Sequence, residues 1–423
     1  MSIGDPSVAQ INPKTEFHGL TEAATVSFIP MESVEERINS FSHGLRSLSE
    51  VRKGYTSFQD EDVLWAKITP CMQNGKSAVV HGLSNGVGFG STEFHVVRTG
   101  RKSIPGFLWA VLSMPKLLYA AQGAFTGSSG HQRVPASFLE KLEIPIPPLD
   151  TQRRLVAELD AARAERDRAL ADAATLLESF EEWALQVMGI DIPKHVSRQA
   201  FAIHIGAAHG RLDPFNHLPE FTETERAITS GSHARLGELV TFSGDTWSPD
   251  NHASPTFRYI EISGVDRRRG KAVATVIPVS AAPSRARMTV QPDDLIVSLT
   301  RPHHGSIALL GKDHQGCVAS TGFAVIRDVA RGSSPEFLWV ALRLSFSLRQ
   351  MLRRSSGGNY PAITQEELAN VLIPLPDKAI QKKVVDEAIS RSDAADRLEA
   401  YAETVWQQAR ERFEQQLLKG ETA

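Results

Sequence analysis

Two kinds of hydrophobic pattern alternate along the chain. Short apolar runs such as Phe94-His95-Val96-Val97 and Phe323-Ala324-Val325-Ile326, broken by Gly, Pro and Asn, predict strands. Helical spacing follows near residues 105–122 and 335–354. These globular stretches, about 8–148 and 236–376, end in Ile144-Pro145-Ile146-Pro147-Pro148 and Ile373-Pro374-Leu375-Pro376. Proline disfavours helix at the residue before it, so both segments predict rigid extended backbone. Asp150 and Asp377 then stand where an N-cap would.

Beyond each lead the period changes. Leu155, Leu159, Ala162, Arg166, Ala169, Ala173, Leu176, Phe180, Trp183 and Val187 are spaced alternately four and three. The second series runs Val384, Ala388, Arg391, Ala395, Leu398, Ala402, Val405, Ala409, Phe413 and Leu417. Both are coiled-coil seams, and their many alanines suit close helix–helix approach. A helix of about 35 residues extends roughly 50 Å, more than a small domain needs. The two helices are therefore expected to pack against each other, antiparallel about a pseudo-twofold axis.

That axis is expected because the chain repeats itself. Pro105-Gly106-Phe107-Leu108-Trp109 returns as Pro335-Glu336-Phe337-Leu338-Trp339 at an offset of 230. The Ile-Pro leads and Gln152/Gln381 match at 229, as do Ser91–Phe94 and Ser320–Phe323. Upstream, Asp62-Val63-Leu64 pairs with Asp294-Leu295-Ile296 at 232, and Ile29–Val34 with Ile260–Val265 at 231. Landmarks in one order with so little drift indicate a tandem duplication. The fold class expected is α+β: two tandem homologous α/β domains separated by two long helices forming an antiparallel coiled coil. The boundaries read are 1–148 for the first domain and 149–189 for the first helix. The second domain spans 190–376, with an N-terminal lead at 190–235, and the second helix 377–423.

Composition narrows the function. With 41% hydrophobic residues over 423 positions, disorder is excluded. No apolar run spans a membrane, and the first residues do not read as a Sec-type signal. Two cysteines, Cys71 and Cys317, make neither a disulfide framework nor a four-thiolate zinc site. A cytoplasmic location is expected. The net charge of −3 hides a partition. Residues 150–189 hold five basic and nine acidic side chains and residues 377–423 hold eight and ten, leaving 33 basic against 30 acidic elsewhere. Residues 250–372 hold 15 Lys/Arg against ten acidic, a balance that permits DNA binding.

No catalytic constellation is legible. Gly86-Val87-Gly88-Phe89-Gly90 has the wrong spacing for a nucleotide loop and reads as a tight turn. Asp213-Pro214-Phe215 lacks the second proline of an amino-methyltransferase motif, and neither a Walker loop nor a nucleophile elbow occurs. His303-His304 and His204/His209 lack metal-ligand company. What remains is planar polar chemistry on loops. In the first domain the candidates are Asn74 and Lys76, then His131, Gln132 and Arg133. In the second they are Arg267 and Arg268, Arg301, His303 and His304, then Asn359 and Tyr360. Such side chains address base edges and phosphates. Gln73–Lys76 and Arg301–His304 fall at matching places in the repeat, as do Gly130–Arg133 and Gly357–Tyr360.

At this point the sequence resembles the specificity (S) subunits of type I restriction–modification systems. The resemblance is carried by Ile144-Pro145-Ile146-Pro147-Pro148-Leu149 leading to Gln152, and by its second copy at Ile373–Gln381. Asp62–Pro70, Gly90-Ser91-Thr92-Glu93-Phe94 and Arg211-Leu212-Asp213-Pro214 are also similar to that family. It implies two target-recognition domains, each reading one half of a split double-stranded DNA sequence, with the helices as a ruler. It implies no catalysis and no cofactor on this chain. Two adenine-N6 methyltransferase (M) subunits would carry S-adenosylmethionine, and motor–nuclease (R) subunits would use ATP and Mg²⁺. The alternatives are a DNA-independent interaction scaffold or a divergent S-like subunit of another defence system. The first domain starts abruptly at Val8, whereas the second has its long lead.

Overall fold

The computed structural model describes all residues except 18, 128–130, 193–199, 204, 205, 207–212, 252 and 420–423. His204, His209, Arg211, Leu212 and Gly130 thus lie outside the described residues. The chain divides into two units, residues 1–171 with 399–423, and residues 172–398. The division falls inside both long helices, Leu149–Glu178 and Lys378–Lys419.

The first unit holds β1 (Ala9–Ile11), β2 (Thr25–Ile29), β3 (Gly44–Ser47), β4 (Thr56–Gln59), β5 (Val63–Ala66), β6 (Ser77–Val79), β7 (Val87–Gly90) and β8 (Phe94–Thr99). They form two four-stranded sheets, ordered β1-β8-β5-β6 and β3-β2-β7-β4, in which only β2 and β7 run parallel. All four residues of β5 are buried because both of its faces are covered. Val63 and Trp65 pack with Phe107, Leu108 and Trp109 of the helical layer. Leu64 and Ala66 face Ile29, Phe58 and Val96. A strand enclosed on both sides reads as a continuous apolar run.

The second unit repeats this plan. Its strands are β9 (His233–Arg235), β10 (Val240–Phe242), β11 (Thr256–Ile260), β12 (Val265–Asp266), β13 (Lys271–Ala272), β14 (Thr275–Pro278), β15 (Ala286–Thr289), β16 (Leu295–Ser298), β17 (Ile307–Leu309), β18 (Val318–Ser320), β19 (Phe323–Val329) and β20 (Leu372–Pro374). Its four-stranded sheets are ordered β10-β19-β16-β17 and β14-β11-β18-β15, with β11 and β18 parallel. Leu64 opposes Val96 in the first unit as Ile296 opposes Val325 in the second. The duplication read from the sequence is thus a duplication of topology.

Particular side chains explain why the landmarks recur. Asp62 is fully buried, grips Arg98 through two bonds of 2.8 and 2.7 Å, and accepts from the Gln59 N–H at 2.9 Å. Asp294 does the same with Arg327 and the Gln291 N–H. Gln152 donates to the Lys102 and Pro147 carbonyls at 2.7 and 2.8 Å, tying the Ile-Pro lead to the turn before the helix Pro105–Leu112. Gln381 donates likewise to Gly332 and Pro376.

Several expectations need correction. The stretches at 105–122 and 335–354 are each two helices, broken before Pro115 and at Leu344. Asp377 accepts from the Ile380 N–H at 2.9 Å and caps its helix, but Asp150 already lies in the first turn, paired with Arg153. The glycines of Gly86–Gly90 serve two ends. Asn85 and Gly86 make the turn with positive φ, while Gly88 and Gly90 belong to β7. A Cβ on Gly88 would stand 2.1 Å from the Phe58 ring, so the glycine admits that ring. The second domain's lead is not wholly extra. Its residues 233–235 pair with β20, and the first unit makes the equivalent closure with its opening residues, where Ser2 bridges Glu143 and Ile3 N–H donates to Leu142 at 2.8 Å.

The seams pack as expected within each unit. In the first, Arg154 meets Gln416 at 3.1 Å and Glu165 meets Tyr401, so the partners run antiparallel. Leu155, Leu159, Ala162, Ala402, Ala409 and Phe413 are buried. In the second, the first helix is interrupted at Ser179 and resumes as Phe180–Met188. Arg391, the polar residue of its seam, donates to Ser179 Oγ at 3.0 Å and the Leu176 carbonyl at 3.4 Å. It thereby serves groups that a helix end leaves without partners.

Candidate nucleic-acid interface

In each unit the loop leaving the central strand, β5 or β16, is joined to a second loop, and Thr69, not Gln73, stands where Arg301 does. In the first unit the chain leaving β5 bridges a hairpin, with Ile68 and Thr126 both opposite Arg133. The Thr69 N–H donates to the Gln132 carbonyl at 3.0 Å. In the second unit Thr300 and Ser356 both lie opposite Ala362, and the Arg301 N–H donates to Pro361 at 2.7 Å. One main-chain frame therefore carries both loop pairs, and their side chains differ.

The second unit gathers its candidates into one cluster. Arg301 is the third residue beyond β16, not its end, and it takes a left-handed backbone (φ 46°) before Pro302. That conformation is strained for a non-glycine residue and is held by the bond to Pro361. Its guanidinium lies 4.4 Å from the Tyr360 ring centroid and donates to the Asn359 carbonyl at 3.3 Å. Tyr360 is 72% exposed, so the stacked pair faces solvent with donors to spare. His303 and His304 stand edge to face at 4.5 Å. Arg267 Nη1 lies 3.3 Å from His304 Nδ1. A guanidinium can only donate, so Nδ1 accepts and the proton sits on Nε2. Burial, and then nearby positive charge from Arg301 with His304 or Arg267, hold both imidazoles below their ordinary range. Both rings are thus neutral near pH 7 and offer one donor and one acceptor each. Arg268 is exposed beside Glu178 at 3.8 Å.

The first unit's candidates are more committed to their own domain. Asn74 donates to Glu36 at 2.8 Å, and Lys76 Nζ to the Met31 carbonyl at 3.3 Å. Arg133 makes a two-pronged pair with Glu93, at 2.9 and 2.6 Å, which lowers the Glu93 carboxyl below its usual range. Gln132 is half-buried and His131 exposed, the latter at the position matching Tyr360. Arg37, which the sequence did not single out, organises this region by donating to the Gln73 and Asn74 carbonyls. It lies on a loop with no periodicity to mark it.

Among the described residues no group of three or more His, Cys, Asp or Glu is placed to hold a metal, and no helix is long and apolar enough to cross a membrane. What the cluster offers is hydrogen-bond donors, a stacked arginine and neutral imidazoles on a fixed main chain. That is chemistry for recognition.

A family model described as the type I restriction modification DNA specificity domain matches residues 8–167 and 234–400. The chain is 24% identical over 448 residues to the specificity subunit of the type I restriction enzyme EcoAI of Escherichia coli, covering 90% of this chain and 75% of that one. It is 25% identical to the EcoEI specificity subunit of Escherichia coli, covering 89% and 75%. A solved chain from a structure concerned with complex assembly and conformational transition of the type I R-M system matches with a TM-score of 0.54. It is 18% identical over 93% of this chain and 92% of that one, a likeness of fold.

Proposed function

Because the chain belongs to the type I restriction–modification DNA specificity family, its work is DNA recognition within a restriction–modification complex, and we propose that each unit reads one half of a split target. One observation carries this reading. Matched frames hold unlike loops, with Thr69, His131 and Arg133 in one unit against Arg301, Tyr360 and Ala362 in the other. Two different readers on one scaffold suit a target whose halves differ. In the second half the readers are Arg301, His303, His304, Arg267, Arg268, Asn359 and Tyr360. In the first, exposed His131 and its neighbour Gln132 lead, while Asn74, Lys76 and Arg133 hold the loops in place.

The chemistry is then done elsewhere in the complex. The chain binds no cofactor of its own. Two adenine-N6 methyltransferase subunits dock on it and supply S-adenosylmethionine, and motor–nuclease subunits supply ATP- and Mg²⁺-dependent cleavage in the cytoplasm. The long helices set the separation of the two half-sites. Mapping methylated adenines in a host expressing this chain with its methyltransferase tests the whole reading. The expected pattern is two unlike half-sites with a spacer of fixed length. A contiguous target, or DNA left unmethylated, would overturn it.

A narrower test concerns Arg301. Arg301→Ala should cost about 1–3 kcal/mol at one base pair if the stacked guanidinium grips a base edge. Preference should relax in that half-site only, as read by binding to a panel of single-substitution targets. Unchanged preference across the panel would exclude Arg301 from base reading.

A further inference from the structure

A second polar feature of the 172–398 unit lies beside the recognition cluster and is not explained by it. A cavity of about 340 Å³ is lined by Arg267, Arg268, Arg343, Arg391, Trp339 and Ser392, among others. Arg343 sits at its heart. Its Nη2 donates to the Arg267 and Arg268 carbonyls, and its guanidinium lies 4.9 Å from the Trp339 ring centroid. Its Nε is buried and has no hydrogen-bond partner among the described residues. Burial pulls the group down to about 10. Ser392 Oγ is likewise buried without a partner.

Glu178 and Glu181 also line the cavity, and the acidic groups here are mostly engaged elsewhere. Glu181 accepts from the Ser345 N–H at 2.8 Å, and Asp266 and Asp396 hold Arg269. Glu178 meets exposed Arg268 at 3.8 Å. A largely desolvated cation whose neighbouring carboxylate, Asp266, is shared with Arg269 is costly. The first unit builds the matching position, 230 residues earlier, with Ser113, which bonds within its own helix. The first unit has the matching cavity, about 310 Å³ and lined by Trp109 and Ser113, but draws its arginines from Arg37 and Arg410, and Arg410 donates to the Ser113 carbonyl at 2.9 Å.

We propose that this pocket binds a backbone phosphate of DNA, with the half-buried Arg343 as its inner anchor and Arg267 and Arg268 at its mouth. Arg267 reaches both places, since the same side chain meets His304 of the recognition cluster. A duplex read by Arg301 and Tyr360 would bring phosphates beside the pocket, and guanidinium groups match phosphate oxygens in pairs. The proposal rests on the DNA-reading role given above.

The test uses the full chain assembled with its methyltransferase subunits. Arg343→Ser, the residue the first unit carries, should weaken target and non-target DNA alike by about tenfold and lower the salt slope by about one. The preferred sequence should stay the same. Target duplexes carrying one neutral methylphosphonate at a time give an arm that does not need the variant to fold. In the unaltered protein one phosphate in the second half-site should prove sensitive. That sensitivity should fall away in Arg343→Ser, and in Arg268→Ser if the first variant does not fold. A wild type that binds its target but is indifferent to every methylphosphonate in that half-site overturns the pocket while leaving the recognition role intact. Loss of assembly with the methyltransferase, at an unchanged DNA salt slope, would assign the pocket to an acidic group of the partner protein and overturn the proposal too. A chain with no preferred sequence would instead refute the recognition role itself.

Discussion

Replacing residues 8–148 with the matching segment of a relative that reads another sequence should change one half of the target and leave the other half as it was. The junction is placed by physical contacts. Residue 148 lies just before Gln152, whose amide fastens the Ile-Pro lead. The incoming body must also offer aromatic partners to the second long helix. Phe107 and Phe413 lie 6.1 Å apart, and Trp109 and Trp406 are stacked at 6.4 Å. Where those contacts are kept, each base pair of the old half-site now mismatched should cost about 1–3 kcal/mol. Over several base pairs the old target is then disfavoured by orders of magnitude. Methylation mapping reads the outcome directly. If both halves changed, the units would not be independent readers.

The second large effect concerns stability. Asp62→Ala should destabilise the first unit by about 3–5 kcal/mol because it leaves a partly buried arginine without its carboxylate. Asp294→Ala should destabilise the second by less, since Arg327 keeps its pair with Asp245. Each change also strips the acceptor from a main-chain N–H, of Gln59 or Gln291. A whole-chain melting temperature is a poor gauge for two units, so hydrogen exchange resolved by segment is the suitable measurement. Faster exchange should appear in β5 and β8 for Asp62→Ala, and in β16 and β19 for Asp294→Ala. Unchanged protection in those strands would mean that the buried pairs contribute little.

Which features could be read in advance follows from how local their causes are. The long helices announce themselves because a seam must recur every three or four residues, and its alanines mark where helices approach. The duplication was legible because buried polar residues with several partners, such as Asp62, Asp294, Gln152 and Gln381, cannot vary freely without leaving a main-chain group unsatisfied. The sheet order was not legible. The parallel pairing of β2 with β7 joins segments some sixty residues apart, and nothing in either segment encodes its partner. The break at Ser179 escaped for the same reason, since the Arg391 that bonds to it lies more than two hundred residues away. Among the candidate site residues, type and loop position were readable but commitment was not. Arg133 and Arg301 look alike in sequence, and only the distant Glu93 and Tyr360 make one a brace and the other a displayed, stacked donor.

The manner in which the recognition loops are fastened has a consequence for how such a protein changes. Thr69 and Arg301 are held by their own N–H groups against the carbonyls of Gln132 and Pro361. Those bonds are indifferent to side-chain identity, so away from the left-handed backbone of Arg301 the scaffold leaves the loops free to be rewritten. On the proposed reading, drift at His303, His304, Asn359 or Tyr360 would alter preference one position at a time while the strands beneath remain folded. A lineage under pressure to abandon a known target thus has access to neighbouring ones through single substitutions, and a laboratory library confined to these positions samples the same route.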